Sequence, residues 1–305
     1  MSTAPEPEAR LAREILAAGT PQRLELPERG VSIAVMDWGG DGPLALLHHA
    51  NGFCKGVFGL LVPALRRHFH VVAMDARGHG DSSAPGGPDA YAWDAFALDI
   101  VAVAERLVAT HGVGCALGLG HSFGGTSMLG AASRRPGLFE RLVLVDPVVP
   151  PPPADIPPER LEHVMGMAEA ARRRRDTWPT RAEARQWWAE RSLFAAWRPE
   201  ALDLYVLDGL RDAQDGGVRL KCPGAVEGAV FASGGTLDVS ALTRGLATPT
   251  LWLWARRGNF SREAYEGLAA GMAAARVETI DAGHLAPMEE PEQVVDAIER
   301  FCAGA

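Results

Sequence analysis

The chain has few of the features that mark secreted and membrane proteins. It contains four cysteines in 305 residues, and no two of them form a C-x-x-C pair that would hold a metal or a redox disulfide. No apolar run reaches the roughly 18 residues that span a bilayer, and no basic segment followed by an apolar one opens the sequence. We therefore expect a soluble protein with reduced cysteines in the cytoplasm.

The chain also has fewer basic residues than acidic ones. The 30 lysines and arginines are outnumbered by 38 aspartates and glutamates, which gives a formal net charge of -8. Such a chain has no broad basic field to attract nucleic acid or an anionic membrane, and we expect neither as a partner. The run from Arg172 to Arg175 is the exception. Because Glu169 and Asp176 lie close to it, we interpret this run as a solvated helix face without a function.

Hydrophobic residues, by contrast, make up 47% of the chain, and charged residues make up 22%. This composition is enough to bury a substantial core, either as one large domain or as a domain with an insertion. No metal constellation is recognisable, because His48, His49 and His79 do not combine with carboxylates at a ligand spacing. We expect neither a metal nor a cofactor.

Short apolar segments alternate with helical patterns along most of the chain. This alternation predicts the α/β class, with a mostly parallel sheet covered by helices on both faces. Between Ala92 and Thr110, and again near Glu292 to Phe301, apolar residues recur at one-turn spacing and predict amphipathic helices that pack on the sheet. The predicted strands are Ser32 to Met36, Pro43 to His48, His70 to Met74, Cys115 to Leu119, Arg141 to Val145, Thr250 to Trp254 and Arg276 to Ile280.

The alternation stops from Pro147 to about Val239, where a proline cluster opens a stretch with helical patterns and no convincing strand. We interpret this stretch as an inserted cap. The predicted divisions are an N-terminal arm at residues 1–22, a core at residues 23–149 and 237–305, and a helical cap at residues 150–236. The predicted cap helices run from Pro158 to Arg174, from Arg181 to Ser192 and from Pro199 to Leu210.

The cap carries a set of large apolar side chains. Most of them are expected to pack the cap onto the sheet, and together they predict an apolar pocket for a small hydrophobic substrate. The set includes Met165, Met167, Trp187, Trp188, Phe194, Trp197 and Tyr205.

The most specific motif is the sequence G-H-S-F-G centred on Ser122. A serine with glycines two positions before and two after it is typical of a sharp strand-to-helix turn that exposes the hydroxyl. Gly120 and Gly124 lack the Cβ atoms that would crowd the strained backbone of the serine. An apolar strand precedes the motif and a small-residue helix begins at Phe123, so Ser122 is the predicted nucleophile.

A serine nucleophile needs a general base, a carboxylate that orients the base, and N–H donors for the developing oxyanion. His284 is the predicted base, because it alone of the nine histidines follows the serine and lies between a late strand and the terminal helix. The predicted oxyanion donors are the backbone N–H groups of Phe123 and Asn51, which lies in a loop of small residues after an early strand. Cys54 would be an alternative nucleophile, but it follows no such turn and has no partner in the pattern.

Together these motifs resemble the α/β-hydrolase superfamily over about Leu24 to Phe301. The stretch from Asp75 to Ser82 is similar to the D-x-R-G-x-G-x-S turn of its single-cap members. The Gly-His pair that ends at His284 is also familiar from this superfamily. The resemblance implies an α/β-hydrolase fold and agrees with His284 as the base that serves Ser122.

The sequence departs from the superfamily at the expected triad acid. Most relatives have G-x-x-D after the next-to-last strand, whereas here Gly258 holds the place of the aspartate and Asn259 follows it. We predict Asp146 as the acid, because it ends an earlier strand at the position where haloalkane dehalogenases place theirs. If Asp146 only caps its loop, as in many relatives, Asn259 or a water would orient the histidine.

These observations predict a cofactor-free serine hydrolase whose expected reaction is the hydrolysis of a small to medium hydrophobic carboxylic ester. Cleavage of a carbon-carbon bond, a lactone or a thioester, and perhydrolysis, would use the same residues and stay open as alternatives. A ligand-binding protein with a degraded hydrolase site is an alternative from another class, motivated by the missing carboxylate at Gly258. Since Ser122 stands where dehalogenases and epoxide hydrolases of this fold have an aspartate, we expect neither of those activities.

Overall fold

The strands form one large and one small sheet in this computed structural model, which describes residues 7–87, 89–214, 216–234 and 237–304. The large sheet has the strand order β1-β2-β4-β3-β5-β6-β10-β11, and the small one has the order β7-β9-β8. In chain order the strands are β1 (Thr20–Leu26), β2 (Val31–Gly39), β3 (Leu44–His48), β4 (His70–Met74), β5 (Cys115–His121), β6 (Arg141–Val145), β7 (Thr177–Trp178), β8 (Leu210–Asp212), β9 (Val218–Leu220), β10 (Thr250–Arg257) and β11 (Ala275–Gly283).

The large sheet is mostly parallel, as the alternation of strands and helices predicts. The pairs β1-β2 and β2-β4 are antiparallel, and every pair from β4 to β11 is parallel. The helices of the described residues are α1 (Pro7–Ala17), α2 (Val62–Leu65), α3 (Trp93–His111), α4 (Phe123–Arg134), α5 (Pro158–Arg173), α6 (Arg181–Ala189), α7 (Pro199–Asp208), α8 (Gly224–Ala232), α9 (Val239–Thr243), α10 (Arg262–Ala269), α11 (Ala286–Glu289) and α12 (Pro291–Ala303).

Helices cover both faces of the sheet. Each strand packs against both layers of helices, because its successive side chains point to opposite faces. Ala45 and Leu47 of β3 belong to the apolar cluster that includes Ile298 of α12. Leu46, which lies between them, belongs to a second cluster with Ile100 of α3. A strand buried on both faces is apolar at every position, which is why β3 reads as a continuous apolar run.

The sequence pattern predicts seven strands of the large sheet but misses β1, at Thr20–Leu26. Most of its residues are exposed, so it has no apolar alternation. Its pairing with β2 uses backbone groups, which leave no trace in the sequence. The predicted arm at residues 1–22 therefore contains α1, which packs on α7, and the start of an edge strand; its first six residues lie outside the described part.

The stretch between β6 and β10, which we call the inserted segment, contains the three predicted helices as α5, α6 and α7. The expectation that it holds no strand is wrong, because β7, β8 and β9 form the small antiparallel sheet within it. Strands of two or three residues are too short to show a period of two. The predicted end of the cap, at residue 236, lies outside the described residues. Over the described part of the chain, no helix combines the length and apolarity that crossing a bilayer would take.

Candidate active site

Ser122 lies in the sharp turn between β5 and α4. Its backbone has φ 55° and ψ -123°, a conformation that residues other than glycine rarely adopt and that tends to occur at functional sites. The two flanking glycines allow it: a Cβ on Gly120 would lie 2.4 Å from the carbonyl oxygen of Gly124, and a Cβ on Gly124 would lie 2.4 Å from that of His48. The turn therefore holds the serine hydroxyl at the carboxyl edge of the sheet.

The structure brings His284 and Asp146 to this serine. His284, in the loop between β11 and α11, has its Nε2 atom 2.9 Å from Ser122 Oγ. Its Nδ1 atom lies 2.6 Å from Asp146 Oδ2. With Nδ1–H donating to the carboxylate, Nε2 is left to accept the serine proton. Within the described residues, Asn259 is not among the hydrogen-bond partners of this side chain.

Asp146 is held in a strained, fully buried position after β6. Its φ is 40°, and its Oδ1 atom accepts the N–H of Ala255 at 3.1 Å. The Tyr265 hydroxyl lies 3.2 Å from Oδ1 and 2.7 Å from the carbonyl oxygen of Pro147, so its single proton is shared between these two acceptors. Burial and the neighbouring carboxylate raise the pKa of Tyr265, which keeps its hydroxyl protonated as a donor. A Cβ on Gly258 would lie 2.5 Å from Asp146 Oδ2, so the residue found in place of the usual acid leaves the space that Asp146 occupies.

The two predicted oxyanion donors flank the serine from separate elements. Phe123 opens α4, where the first N–H groups have no acceptor within the helix. Asn51 lies in the loop after β3, and its side chain is engaged elsewhere: Nδ2 donates to the carbonyl of Glu227 at 3.1 Å, and Oδ1 lies 3.1 Å from His79 Nε2. Its backbone N–H makes no recorded hydrogen bond to the described residues.

His49 braces the same loop. Its Nε2 accepts the N–H of Ala76 at 3.0 Å, so Nδ1 carries the proton and donates to the carbonyl of Ala50 at 2.7 Å. Burial lowers the pKa of His49 well below its ordinary value, and the ring is therefore neutral.

Sequence reasoning missed two residues that hold the backbone around His284. Glu289 accepts the N–H of Gly283 at 2.6 Å and that of Leu285 at 3.2 Å. His121, the residue before Ser122, has Nε2 2.8 Å from the carbonyl oxygen of His284. Burial lowers the pKa of His121 to about 3, so this neutral ring donates from Nε2. We call these contacts the histidine-loop clamp.

A buried cluster of charges connects the inserted segment to the loop that follows Asn51. Lys55 Nζ lies 2.8 Å from Asp75, 3.0 Å from Asp81 and 3.2 Å from Asp208, the last residue of α7. Asp208 also accepts the N–H of Gly56 at 2.9 Å. Burial opposes the charge of Lys55, but the three carboxylates raise its pKa above the ordinary value. The ammonium group therefore stays charged.

The arginine run is not solvated throughout. Arg172 and Arg173 pair with Glu169 at the surface, as expected. The expectation is wrong for Arg174, which turns inward, pairs with Glu227 at 2.6 Å and donates to the carbonyl of Cys222 at 2.8 Å. It follows the last residue of α5, where the chain leaves the helix and the regular alternation of faces ends.

Most of the large apolar side chains of the inserted segment pack together rather than line open space. The indole and phenyl rings of Trp188, Phe194 and Trp197 contact the ring of Tyr205, and the Tyr205 hydroxyl donates to the carbonyl of Gly52 at 3.1 Å. Met165, in contrast, is 43% exposed.

Cys54, the alternative nucleophile, is buried beside the loop after β3, and burial raises the pKa of its thiol well above the ordinary value. A thiol that stays protonated is a poor nucleophile.

Comparison with known proteins gives matches over most of the chain. The profile of the Alpha/beta hydrolase family matches residues 45–297. The abhydrolase domain-containing protein ACTT2-1 of Alternaria alternata is 27% identical over 221 residues, which are 60% of this chain and 80% of that protein. The 2-(acetamidomethylene)succinate hydrolase of Mesorhizobium japonicum is 34% identical over 35% of this chain and 36% of its own length. The sn-1-specific diacylglycerol lipase ABHD11 of Mus musculus is 32% identical over 45% of this chain and 48% of its own.

Solved structures share the fold. E-2-(acetamidomethylene)succinate hydrolase has a TM-score of 0.78 at 24% identity and covers 93% of this chain and 99% of its own. A thermophilic esterase from Thermogutta terrifontis has a TM-score of 0.69 at 24% identity, covering 93% and 98% of the two chains. The enol-lactonase from Burkholderia xenovorans has a TM-score of 0.69 at 21% identity, covering 90% and 97%. At these identities the similarity concerns the architecture alone.

Proposed function

This chain belongs to the alpha/beta hydrolase family, and on that premise we propose that it is a cofactor-free serine hydrolase that cleaves a carboxylic ester through an acyl-enzyme on Ser122. The observation that carries the proposal is the chain of hydrogen bonds from Ser122 Oγ through His284 to Asp146. It supplies a nucleophile, a base and an orienting carboxylate in the order that acyl transfer requires.

In the proposed mechanism, Ser122 Oγ attacks the ester carbonyl while His284 Nε2 takes its proton. Asp146 keeps the Nδ1–H tautomer in place and stabilises the imidazolium. The backbone N–H groups of Asn51 and Phe123 donate to the oxyanion of the tetrahedral intermediate. His284 then gives its proton to the leaving alcohol. A water activated by the same histidine attacks the acyl-enzyme and releases the acid, which regenerates Ser122.

We propose a small to medium hydrophobic ester as the substrate, with no nucleic acid or membrane as partner. The lipase and the esterase among the similar proteins support an ester substrate. The large apolar rings of the inserted segment pack against one another, so the hydrophobic part of the proposal rests on the apolar composition of that segment. The enol-lactonase among the structural neighbours makes lactone opening the second reaction to test. Carbon-carbon bond and thioester cleavage and perhydrolysis need the same residues and belong in the same substrate screen.

The contact between Asp146 and His284 also bears on the alternative of a ligand-binding protein with a degraded site. That alternative rested on the missing carboxylate at Gly258, and the hydrogen bond of Asp146 to His284 supplies a carboxylate from another strand. The site residues are therefore consistent with turnover as well as with binding.

The deciding experiment is labelling of the full chain with a fluorophosphonate probe, with the modified peptide identified by mass spectrometry. We expect labelling at Ser122 and hydrolysis of p-nitrophenyl esters. Ser122→Ala should abolish labelling and lower ester turnover by roughly 10⁵-fold or more, since removing a triad serine alone costs about that much. Ser133→Ala, at the far end of α4, is the matched control and should keep both activities. A folded protein that neither reacts nor turns over any ester or lactone would refute the proposal.

A further inference from the structure

Three side chains of types that bind metal ions meet at the end of the large sheet that lies opposite Ser122 along the strand direction. Asp37 lies on β2, His70 is the first residue of β4, and His111 is the last residue of α3. Strands β4, β3 and β5 run parallel, and Ser122 follows the last residue of β5. The first residue of β4 therefore lies at the other end of the strands, away from the proposed triad.

The three donor atoms are close enough to share one ion. One ligand atom from each residue lies within 4.8 Å of the other two. His70 Nε2 is 2.7 Å from Asp37 Oδ1, and His111 Nε2 is 3.7 Å from Asp37 Oδ2. The aspartate side chain is 11% exposed and each histidine side chain is 20% exposed, so the group is sheltered but still reachable by an ion from solvent.

Two further observations distinguish this group from an ordinary hydrogen-bonded pair. His111 Nε2 is buried and has no hydrogen-bond partner among the described residues, although a ring nitrogen in that position ordinarily finds one. The Asp37 carboxylate is also fixed from outside the group, because it accepts the N–H of Gly39 at 2.8 Å and a side-chain N–H of Gln22 at 3.3 Å. Such outer hydrogen bonds are how proteins orient a metal-binding carboxylate.

We propose that Asp37, His70 and His111 form a binding site for one divalent transition-metal ion, with Zn²⁺ as the ion that suits two imidazoles, one carboxylate and a water. Ligand atoms at zinc lie about 3.4 Å apart when bond lengths are near 2.0–2.1 Å. His70 and His111 face different oxygens of the Asp37 carboxylate, so the three side chains must reorient slightly before one carboxylate oxygen and both ring nitrogens reach that spacing. No metal-ligand spacing is visible in the sequence, because these residues lie on three elements that only the fold brings together.

The ion would link β2, β4 and α3. Because it would lie far from Ser122, we expect it to stabilise the fold and to take no part in the proposed hydrolysis. An ion that binds the folded chain but not the unfolded chain stabilises the fold by mass action. The test is a titration of the metal-free full chain with Zn²⁺ alone, read by equilibrium dialysis and by thermal unfolding. We expect about one zinc per chain and a rise in the unfolding midpoint of roughly 4 °C at a hundredfold excess over Kd.

His111→Gln keeps the size of the side chain and should weaken zinc binding at least tenfold. Asp37→Asn should weaken it by as much, and it serves as the second site variant in case His111→Gln folds poorly. His163→Gln, at an exposed position on α5, is the matched control and should bind zinc as the unchanged protein does. The proposal is overturned if the unchanged protein binds no zinc, or if both site variants bind it as tightly. Fluorophosphonate labelling of Ser122 should be equal with and without zinc, so the outcome is independent of the proposed hydrolase activity.

Discussion

At the scale of single residues, the carboxylate of Asp146 lies where the proposed triad needs an acid, although Gly258 holds the position of the usual one. It reaches His284 from the end of β6, and Gly258 provides the room that its Oδ2 atom needs. Ser122 and His284 could be predicted from sequence because each sits in a local pattern with a mechanical meaning. Asp146 was predicted by comparison with relatives that place the acid on the same strand. The Tyr265 hydroxyl that supports it could not be predicted, because it lies 119 positions away in the chain.

Asp146→Asn tests the role of this carboxylate. An amide at this position would favour the wrong tautomer of His284 and could not stabilise its charged form. We expect kcat for ester hydrolysis to fall by about 10⁴-fold with little change in KM. Steady-state kinetics would measure the effect. Asp281→Asn, which removes an exposed carboxylate paired with Arg257, is the control and should keep kcat. A loss of less than tenfold in Asp146→Asn would mean that another group orients the histidine.

At the level of elements, the loop between β11 and α11 depends on contacts that no local pattern encodes. The sequence places His284 in a loop, but the histidine-loop clamp joins that loop to α11 and to the last residue of β5. The same limit explains the missed β1 and the missed small sheet, whose strands are polar or very short. Amphipathic helices such as α3 and α12 were predictable because their apolar residues repeat every turn over many residues.

Glu289→Gln tests the clamp. A carboxylate accepts both N–H groups beside His284, whereas an amide offers only one oxygen and brings its own donors close to the backbone. We expect kcat to fall by roughly tenfold to a hundredfold while KM stays within about twofold, since losing a charged acceptor costs about 1.5–3 kcal/mol. Glu290→Gln, at the adjacent half-buried position, should leave kcat unchanged. If Glu289→Gln lowered the unfolding temperature but kept full kcat, the residue would support the fold and not the position of the histidine.

At the scale of the whole molecule, the buried titratable groups set how stability responds to acid. Burial lowers the pKa of His48 and His121 to about 3 and that of His79 to about 4. Burial also lowers the pKa of His49 well below its ordinary value. Near Ser122 and the loop that contains Asn51, the protein therefore holds four neutral imidazoles that the unfolded chain would protonate at about pH 6.5.

The folded pKa of each of these histidines lies below the unfolded value, so the unfolded chain binds more protons as pH falls through 6.5. The free energy of unfolding should therefore decrease with acidification, by up to about 1.4 kcal/mol per pH unit for each histidine. Burial raises the pKa of Asp75 to about 6, which acts in the opposite direction for one group. We expect a net loss of roughly 3 kcal/mol between pH 6.5 and 5.5.

Urea unfolding at several pH values measures this slope. His48→Gln should reduce this slope by about a quarter, because it removes one of the four buried imidazoles. His163→Gln, at an exposed position on α5, is the control. A free energy of unfolding that stays flat over this range would contradict the assignment of neutral buried imidazoles.

The place of Asp146 in the chain also limits how the fold can be recombined. Asp146 directly follows β6 and is the first residue of the inserted segment, so the proposed catalytic acid lies at the junction with the core. The first residues beyond it are fastened to the core: the Tyr265 hydroxyl donates to the carbonyl of Pro147 at 2.7 Å, and the Thr126 hydroxyl donates to that of Val148 at 2.6 Å. An exchange of this segment with a relative, in evolution or in engineering, therefore keeps the proposed acid if the upstream crossover falls after Asp146, and it also keeps the two fastened residues if the crossover falls after Val148.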